Sequence, residues 1–439
     1  MREEYADLAQ KAKDVLKGNW LGHATKPAPK LYPHQWSWDS AFIAIAYSHF
    51  NQSRAEKELR SLFKGQWRNG LVPHIVFNPK AKDYSPGPEF WRTDRSPFAS
   101  HKPLTSGIIQ PPVHATAVLH IYEYGKKRRA LRFLKEMYPK LKAWHEYLYR
   151  DRNPDGDGLL YIRHPWESGQ DNSPIWDHAL KRINLKPDDI PPYKRVDTEI
   201  VGNDDRPSNA EYDRYAYLVK LGYENSYDEE RIREVCPFLI KDVLLNTIAV
   251  KANRDMAEIA RVLDKDPTPF LQWADLTSES LNTKLWSEEN SIYFDFDMTT
   301  NSIVESHVAA GFTPIFAGVP SRERAIKICD RLNSNSFCRL DRVCLAVPSY
   351  DKEKPGFSPN RYWRGPIWIN VNWMLYRGLR HYTLHDYAEK VKNSIVKLPD
   401  SCGIFEYYDP DTGKGHGAHN FSWTAALLLD LLYEEDAIV

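Results

Sequence analysis

The chain has 439 residues, 42% hydrophobic and 27% charged, ordinary usage for a globular protein long enough to bury a large core. Lys+Arg and Asp+Glu are 59 each, so the net charge is zero; this excludes a non-specific nucleic-acid binder, which needs a basic excess, and a disordered chain, which needs high net charge with few aromatics. The 14 Trp, 25 Tyr and 17 Phe exceed what core packing calls for and suit a pocket lined for a flat or sugar-like ligand.

The residues before Trp20 lack the apolar run of a secretory signal, and the apolar stretches at 42–47 and 426–432 are too short to span a bilayer. A cytoplasmic protein with no membrane partner is expected. Leu8, Ala12, Val15 and Leu16 predict a first helix ending at Gly18. Asp39 or Ser40 is expected to cap the next helix, and 53–66 forms another. Helical spacing continues over 113–125 and on to about Arg150, then over 210–222, 228–247, 248–264, 268–286, 304–317, 320–333, 363–380, 383–397 and 420–434. Alternation over 291–304 predicts one small β-hairpin turning at Thr299–Asn301. No Gly-rich βαβ pattern occurs, so a parallel-sheet nucleotide fold is not expected. Paired helices with short turns predict an all-α toroid of alternating inner and outer helices, a single domain over 1–439. Two long connections, 68–110 and 181–209, break the rhythm and are expected to form a substrate wall or lid. The five cysteines (236, 329, 338, 344 and 402) lack CxxC spacing and are expected to be free thiols.

Four segments carry candidate chemistry. HPWESGQDNSPIWD (164–177) sets Glu167, Asp171 and Asp177 beside Trp166 and Trp176, where a carboxyl in a partly dry pocket has a raised pKa and can act as a general acid. GIFEYYDPDTGKGHGAHNFSWTAALLLDLL, from Gly403 to Leu432, holds Glu406 in an aromatic strip beside a Gly-rich loop that is expected to be mobile. Together they offer the two carboxyls that glycoside hydrolysis requires. LYPHQWSWDSAF (31–42) groups Tyr32, Trp36 and Trp38 around Asp39, and NRYWRGPIWINVNW (360–373) carries Tyr362, Trp363, Arg364 and Trp368. The segments account for Trp36, Trp38, Trp166, Trp176, Trp363, Trp368, Trp373 and Trp423, which concentrates the excess in the candidate site.

WSWDSAF, WRNGLVPH, SGIIQPPVHA, WESGQDNSP, RPSNAEYDRYAYLV, RYWRGPIWINVNW and FEYYDPDTG…FSWTAA, in that order, resemble the motif series of glycoside hydrolase family 63, especially its mannosylglycerate and glucosylglycerate hydrolases; ESGxD and the late Glu also resemble trehalases. The resemblance, from about residue 20 to 435, implies an (α/α)6 barrel and inverting hydrolysis of a small anionic glycoside, with Asp171 as general acid and Glu406 as general base. It implies sugar contacts for Tyr32, Trp36, Trp38, Asp39, His74, Gln110, Trp166 and Trp368. Tyr84, Arg206, Tyr362 and Trp363 would face the glycerate end or a closing loop, with Arg92 and Arg364 as substitutes for Arg206 at the carboxylate. Ile175 departs from the arginine common in the family, which touches the support of the acid loop. Inversion implies a carboxyl separation of roughly 6.5–9.5 Å.

No cofactor and no metal are expected. The calcium-like start DRNPDGDGLLYI (151–162) has Ile162 where an EF-hand needs Glu, and His416 and His419 lack a third ligand. The alternatives are a trehalase-like hydrolase of a neutral disaccharide, a sugar isomerase or epimerase on the same toroid, and a non-catalytic sugar binder; the sequence allows a homo-oligomer.

Overall fold

The computed structural model describes residues 3–81, 84–200, 202, 206–339 and 345–434. Parts of both long connections (82–83, 201 and 203–205) and Cys344 therefore lie outside the described residues. The molecule is helix-rich, and its helices are of two kinds. Ser37–Phe50 is buried on every side from Ser37 to Ser48, and Ser422–Glu434 from Ser422 to Leu432. A helix apolar all round belongs inside a larger core. Ala6–Gly18 buries only Leu8, Ala9, Ala12 and Leu16, the stripe of a surface helix.

The buried helical segments close on themselves. Ser37–Phe50 packs on His114–Tyr124, which packs on Val243–Val262, and this on the 3-10 segment Ala309–Ala317. That segment packs on Ile369–His381, which meets Ser422–Glu434, which returns to Ser37–Phe50. Amphipathic helices lie against them: Gln52–Phe63 on the first, Lys127–Asp151 on the second, Thr268–Ser280 on the third, His385–Cys402 on the fifth and Ala6–Gly18 on the sixth.

Several expectations change. The helix expected from Asp39 or Ser40 starts at Ser37, so Asp39 lies in its first turn and does not cap it. The two helices expected over 228–264 are Glu229–Val235, a strand at Ile240–Lys241, and one helix, Val243–Val262, capped by Asp242. The segment over 304–317 is a strand end followed by a 3-10 helix, where Pro314 removes an amide donor and Gly311 lies against the Tyr293 carbonyl. The expected hairpin forms between Asp295–Asp297 and Ser302–Val304 with Asn301 at φ +53°, but it is one edge of a four-stranded antiparallel sheet completed by Tyr161–Ile162 and Ile240–Lys241. In the calcium-like turn, Lys241 ion-pairs with Asp155 and Asp157. Cys236, Cys329 and Cys402 are free, whereas Cys338 is disulfide-bonded, against expectation. Among the described residues no helix is long and apolar enough to cross a membrane.

Candidate active site

Two of the buried helices, Ser37–Phe50 and Ser422–Glu434, present their first turns to one two-lobed cavity. The inner lobe, about 370 Å³, is walled by Trp38, Asp39, Gly169, Glu406, Phe421 and Trp423. The outer lobe, about 740 Å³, is walled by His74, Tyr84, Trp91, Trp166, Asp197 and Arg206, with Tyr212 at its side. Tyr32, Trp36, Gln110, Asp171 and Tyr362 line both and so mark the junction.

Asp171 is held through its backbone, and its carboxyl is left free. Tyr215 donates its hydroxyl to the Asp171 carbonyl at 2.5 Å, and Trp176 Nε1 donates to the Gln170 carbonyl at 2.8 Å. Gly169, at φ +73°, lets the loop turn against Trp38, whose ring would lie 2.4 Å from a Cβ there. Among the described residues none donates a side-chain or amide hydrogen to the Asp171 carboxyl except its own backbone. Burial pushes that carboxyl up to about 7; Arg206 opposes the shift and the Glu406 charge adds to it.

Beneath the loop, Glu167 is a structural anchor. It is fully buried and accepts from Arg152 at 2.7 and 2.9 Å, from the Arg163 amide at 2.7 Å and from the Ile109 amide at 3.1 Å, next to Gln110. Glu229 bonds both arginines in turn.

Glu406 occupies a strand, Phe405–Tyr408, paired with Gly415–His419. The Gly-rich loop expected to be mobile is thus largely a hairpin strand. Its register slips between His416 and His419, and this bulge aims the Ala418 amide at Glu406 Oε2, 2.9 Å away. Tyr32 donates its hydroxyl to Glu406 Oε1 at 2.8 Å and accepts from Arg206 Nη2 at 2.9 Å. Burial raises the Glu406 pKa, while Arg206, the Ala418 amide and the two tyrosines pull it down. Asp39, 3% exposed, lies well above the usual carboxylate range, chiefly through burial and then through the charges of Glu406 and Asp171. Burial keeps His74 neutral, with Nδ1 on Ser106 Oγ.

Arg206 stands over the Tyr362 ring at 4.4 Å, with Nε 3.5 Å from Asp197. It is 7% exposed, and its Nη1 has no partner among the described residues. Arg195 clamps Asp197 at 2.8 and 2.7 Å. The other two arginines are placed elsewhere: Arg364 is paired with Asp177 and Glu211, and Arg92 lies against Tyr223.

Ten of the twelve expected binding residues line the cavity, together with both carboxyls. Trp363 and Trp368 do not. Each is 1% exposed, and they stack at 3.8 Å behind Tyr362 and Tyr407. Sequence reading missed Trp91, Asp197, Tyr212 and Phe421; Tyr212 sits in the quoted AEYDRYA stretch, and Asp197 carried no signal of its own.

A pocket of aromatic faces holding a free, raised carboxyl and a second carboxyl fed by hydrogen-bond donors is the equipment of a glycoside hydrolase. The comparisons narrow this. Residues 32–424 match the mannosylglycerate hydrolase MGH1-like glycoside hydrolase domain. The mannosylglycerate hydrolase of Rubrobacter radiotolerans is 50% identical, over 98% of this chain and 97% of its own. The glucosylglycerate hydrolase of Mycolicibacterium hassiacum is 36% identical, over 97% of each. The crystal structure of the family 63 mannosylglycerate hydrolase of Thermus thermophilus in complex with Tris and D-glycerate is 41% identical, has a TM-score of 0.90, and covers 97% of this chain and 100% of that one. The chain belongs to this mannosylglycerate hydrolase-like family of glycoside hydrolases, within glycoside hydrolase family 63.

Proposed function

We propose that the enzyme is an inverting α-glycosidase of 2-O-α-mannosylglycerate or 2-O-α-glucosylglycerate, releasing the free sugar and glycerate. One observation carries the reading: Asp171 lies at the junction of the lobes, Glu406 in the inner lobe alone and Arg206 in the outer lobe alone. The sugar then fills the inner lobe against Trp38 and Asp39, and the glycerate fills the outer lobe with its carboxylate on Arg206 Nη1. The glycosidic oxygen falls beside Asp171.

Glu406 takes a proton from water as its oxygen bonds to C1 from the inner side, and Asp171 delivers its proton to the departing glycerate oxygen as the C1–O bond breaks. Glu406 ends protonated and Asp171 ionised, and exchange with solvent resets both. Arg206 and the Tyr32 hydroxyl favour ionised Glu406, so the base is charged while the acid keeps its proton.

The closed circuit of six helical segments with its amphipathic outer layer supports an (α/α)6 barrel. We propose that 1–439 is one catalytic domain acting in the cytoplasm, with 68–110 and 181–209 as substrate wall and lid; Tyr84 and Asp197 bring these connections to the outer lobe.

Proton NMR during hydrolysis of mannosylglycerate, glucosylglycerate, trehalose and kojibiose tests the reading. It expects cleavage of a glyceryl glycoside with the β-anomer released first. The α-anomer first would overturn inversion, cleavage of trehalose alone would establish the neutral-disaccharide reading, and interconversion of a free sugar without cleavage would establish an isomerase.

A further inference from the structure

His49 and Asp430 lie toward the far ends of two helices whose first residues line the cavity, and His120 lies on a third, His114–Tyr124; ten residues of helix, about 15 Å, separate His49 from Asp39. Asp430 is fully buried, with Oδ1 2.9 Å from His49 Nε2 and 3.3 Å from His120 Nε2, and the three ligand atoms lie within 4.8 Å of one another. Donor atoms held by one tetrahedral zinc-class ion are about 3.4 Å apart, given metal–ligand bonds of about 2.0–2.2 Å.

The surrounding hydrogen bonds set the protons. Ser48 Oγ donates its only proton to the Ile45 carbonyl at 2.7 Å, so at 2.8 Å it accepts from His120 Nδ1–H. That fixes the tautomer of a neutral His120 and turns the Nε2 lone pair toward Asp430 Oδ1, an acceptor facing an acceptor. Asp430 Oδ2 takes Trp373 Nε1 at 2.9 Å and Arg377, which also pairs with Glu434. A histidine tied down at Nδ1 and a carboxylate bonded through its second oxygen are the outer partners that metal ligands carry. The His120 side chain is 12% exposed, which opens the cluster to solvent.

We propose that His49 Nε2, His120 Nε2 and Asp430 Oδ1 bind one divalent transition-metal ion of the zinc class, with water as fourth ligand, tying three helices together at the end away from the cavity.

The test uses tag-free, full-length protein, stripped with chelator and titrated with Co²⁺ and Zn²⁺. About one equivalent of Zn²⁺ per chain should survive gel filtration, Co²⁺ should give the intense visible absorption of a four-coordinate site, and Zn²⁺ should raise the Tm. His120→Gln and His49→Gln should each weaken retention roughly tenfold or more. No retained zinc and no cobalt band would overturn the proposal and leave a proton as the bridge, and undiminished retention in both variants would also overturn it. If either variant does not fold, the wild-type titration decides.

Discussion

Asp171 and Glu406 share a cavity, but their partners differ, and this supports the roles proposed for them. Asp171→Asn and Glu406→Gln should each lower kcat by about 10³-fold, within the range of a single acid–base group, with circular dichroism and Tm near wild type. Near-native activity in either would end the assignment. Because Asp171 is pushed up to about 7, kcat/KM should fall as pH rises through about 7, where the acid loses its proton. It should also fall on the acid side as Glu406, itself raised, gains one. A pH–rate profile of wild type checks both limbs. Arg206→Met removes the partnerless Nη1, so KM for a glyceryl glycoside should rise about tenfold or more while a neutral disaccharide changes less. The Arg206–Tyr32–Glu406 chain adds a cost in kcat for both substrates. Equal KM effects on the two substrates would take the carboxylate away from Arg206.

The elements that present these residues are short and closely fitted. Gly417, at φ +69°, has Glu406 Oε2 only 2.5 Å from where a Cβ would sit. Gly417→Ala is therefore expected to displace the base, cutting kcat at least tenfold with KM little changed; steady-state kinetics on the variant is the check. The same hairpin shows where sequence reading stopped. WSWD and WESGQD announced themselves because carboxyls and indoles alternate there within a few residues. GKGHGAH lacks the β-branched residues that mark a strand, and only its pairing to Phe405–Tyr408 makes it one. Asp197 enters the outer lobe through the Arg195 clamp and a long connection, contacts that no local pattern encodes. The motif resemblance assigns Trp363 and Trp368 to the substrate, yet they pack against each other behind Tyr362 and Tyr407.

Across the whole molecule, helical spacing carried the paired layout of the chain, since burial on one stripe or on all sides leaves a periodic trace. Closure was expected only by way of that pairing, because the contact that makes it, between Ser37–Phe50 and Ser422–Glu434, joins the two ends of the sequence. Stability should depend on buried charge as well as apolar packing. Removing one partner of a buried ion pair typically costs about 3–5 kcal/mol, so Glu167→Gln, which leaves Arg152 only Glu229 to pair with and loosens the Ile109 amide, should lower urea-unfolding stability toward that order. A loss below about 1 kcal/mol would show that the network bears little of the fold.

Two helices that begin at the cavity, Ser37–Phe50 and Ser422–Glu434, give the molecule an electrical axis. Each peptide dipole in them adds partial positive charge at the cavity end and partial negative charge at the other. Asp39, Asp171 and Glu406 can therefore share one small chamber, because the backbone supplies part of the countercharge that a basic surface would otherwise provide. A chain of zero net charge can thus draw an anion inward, and an Arg206→Met enzyme should still bind free glycerate more tightly than glycerol.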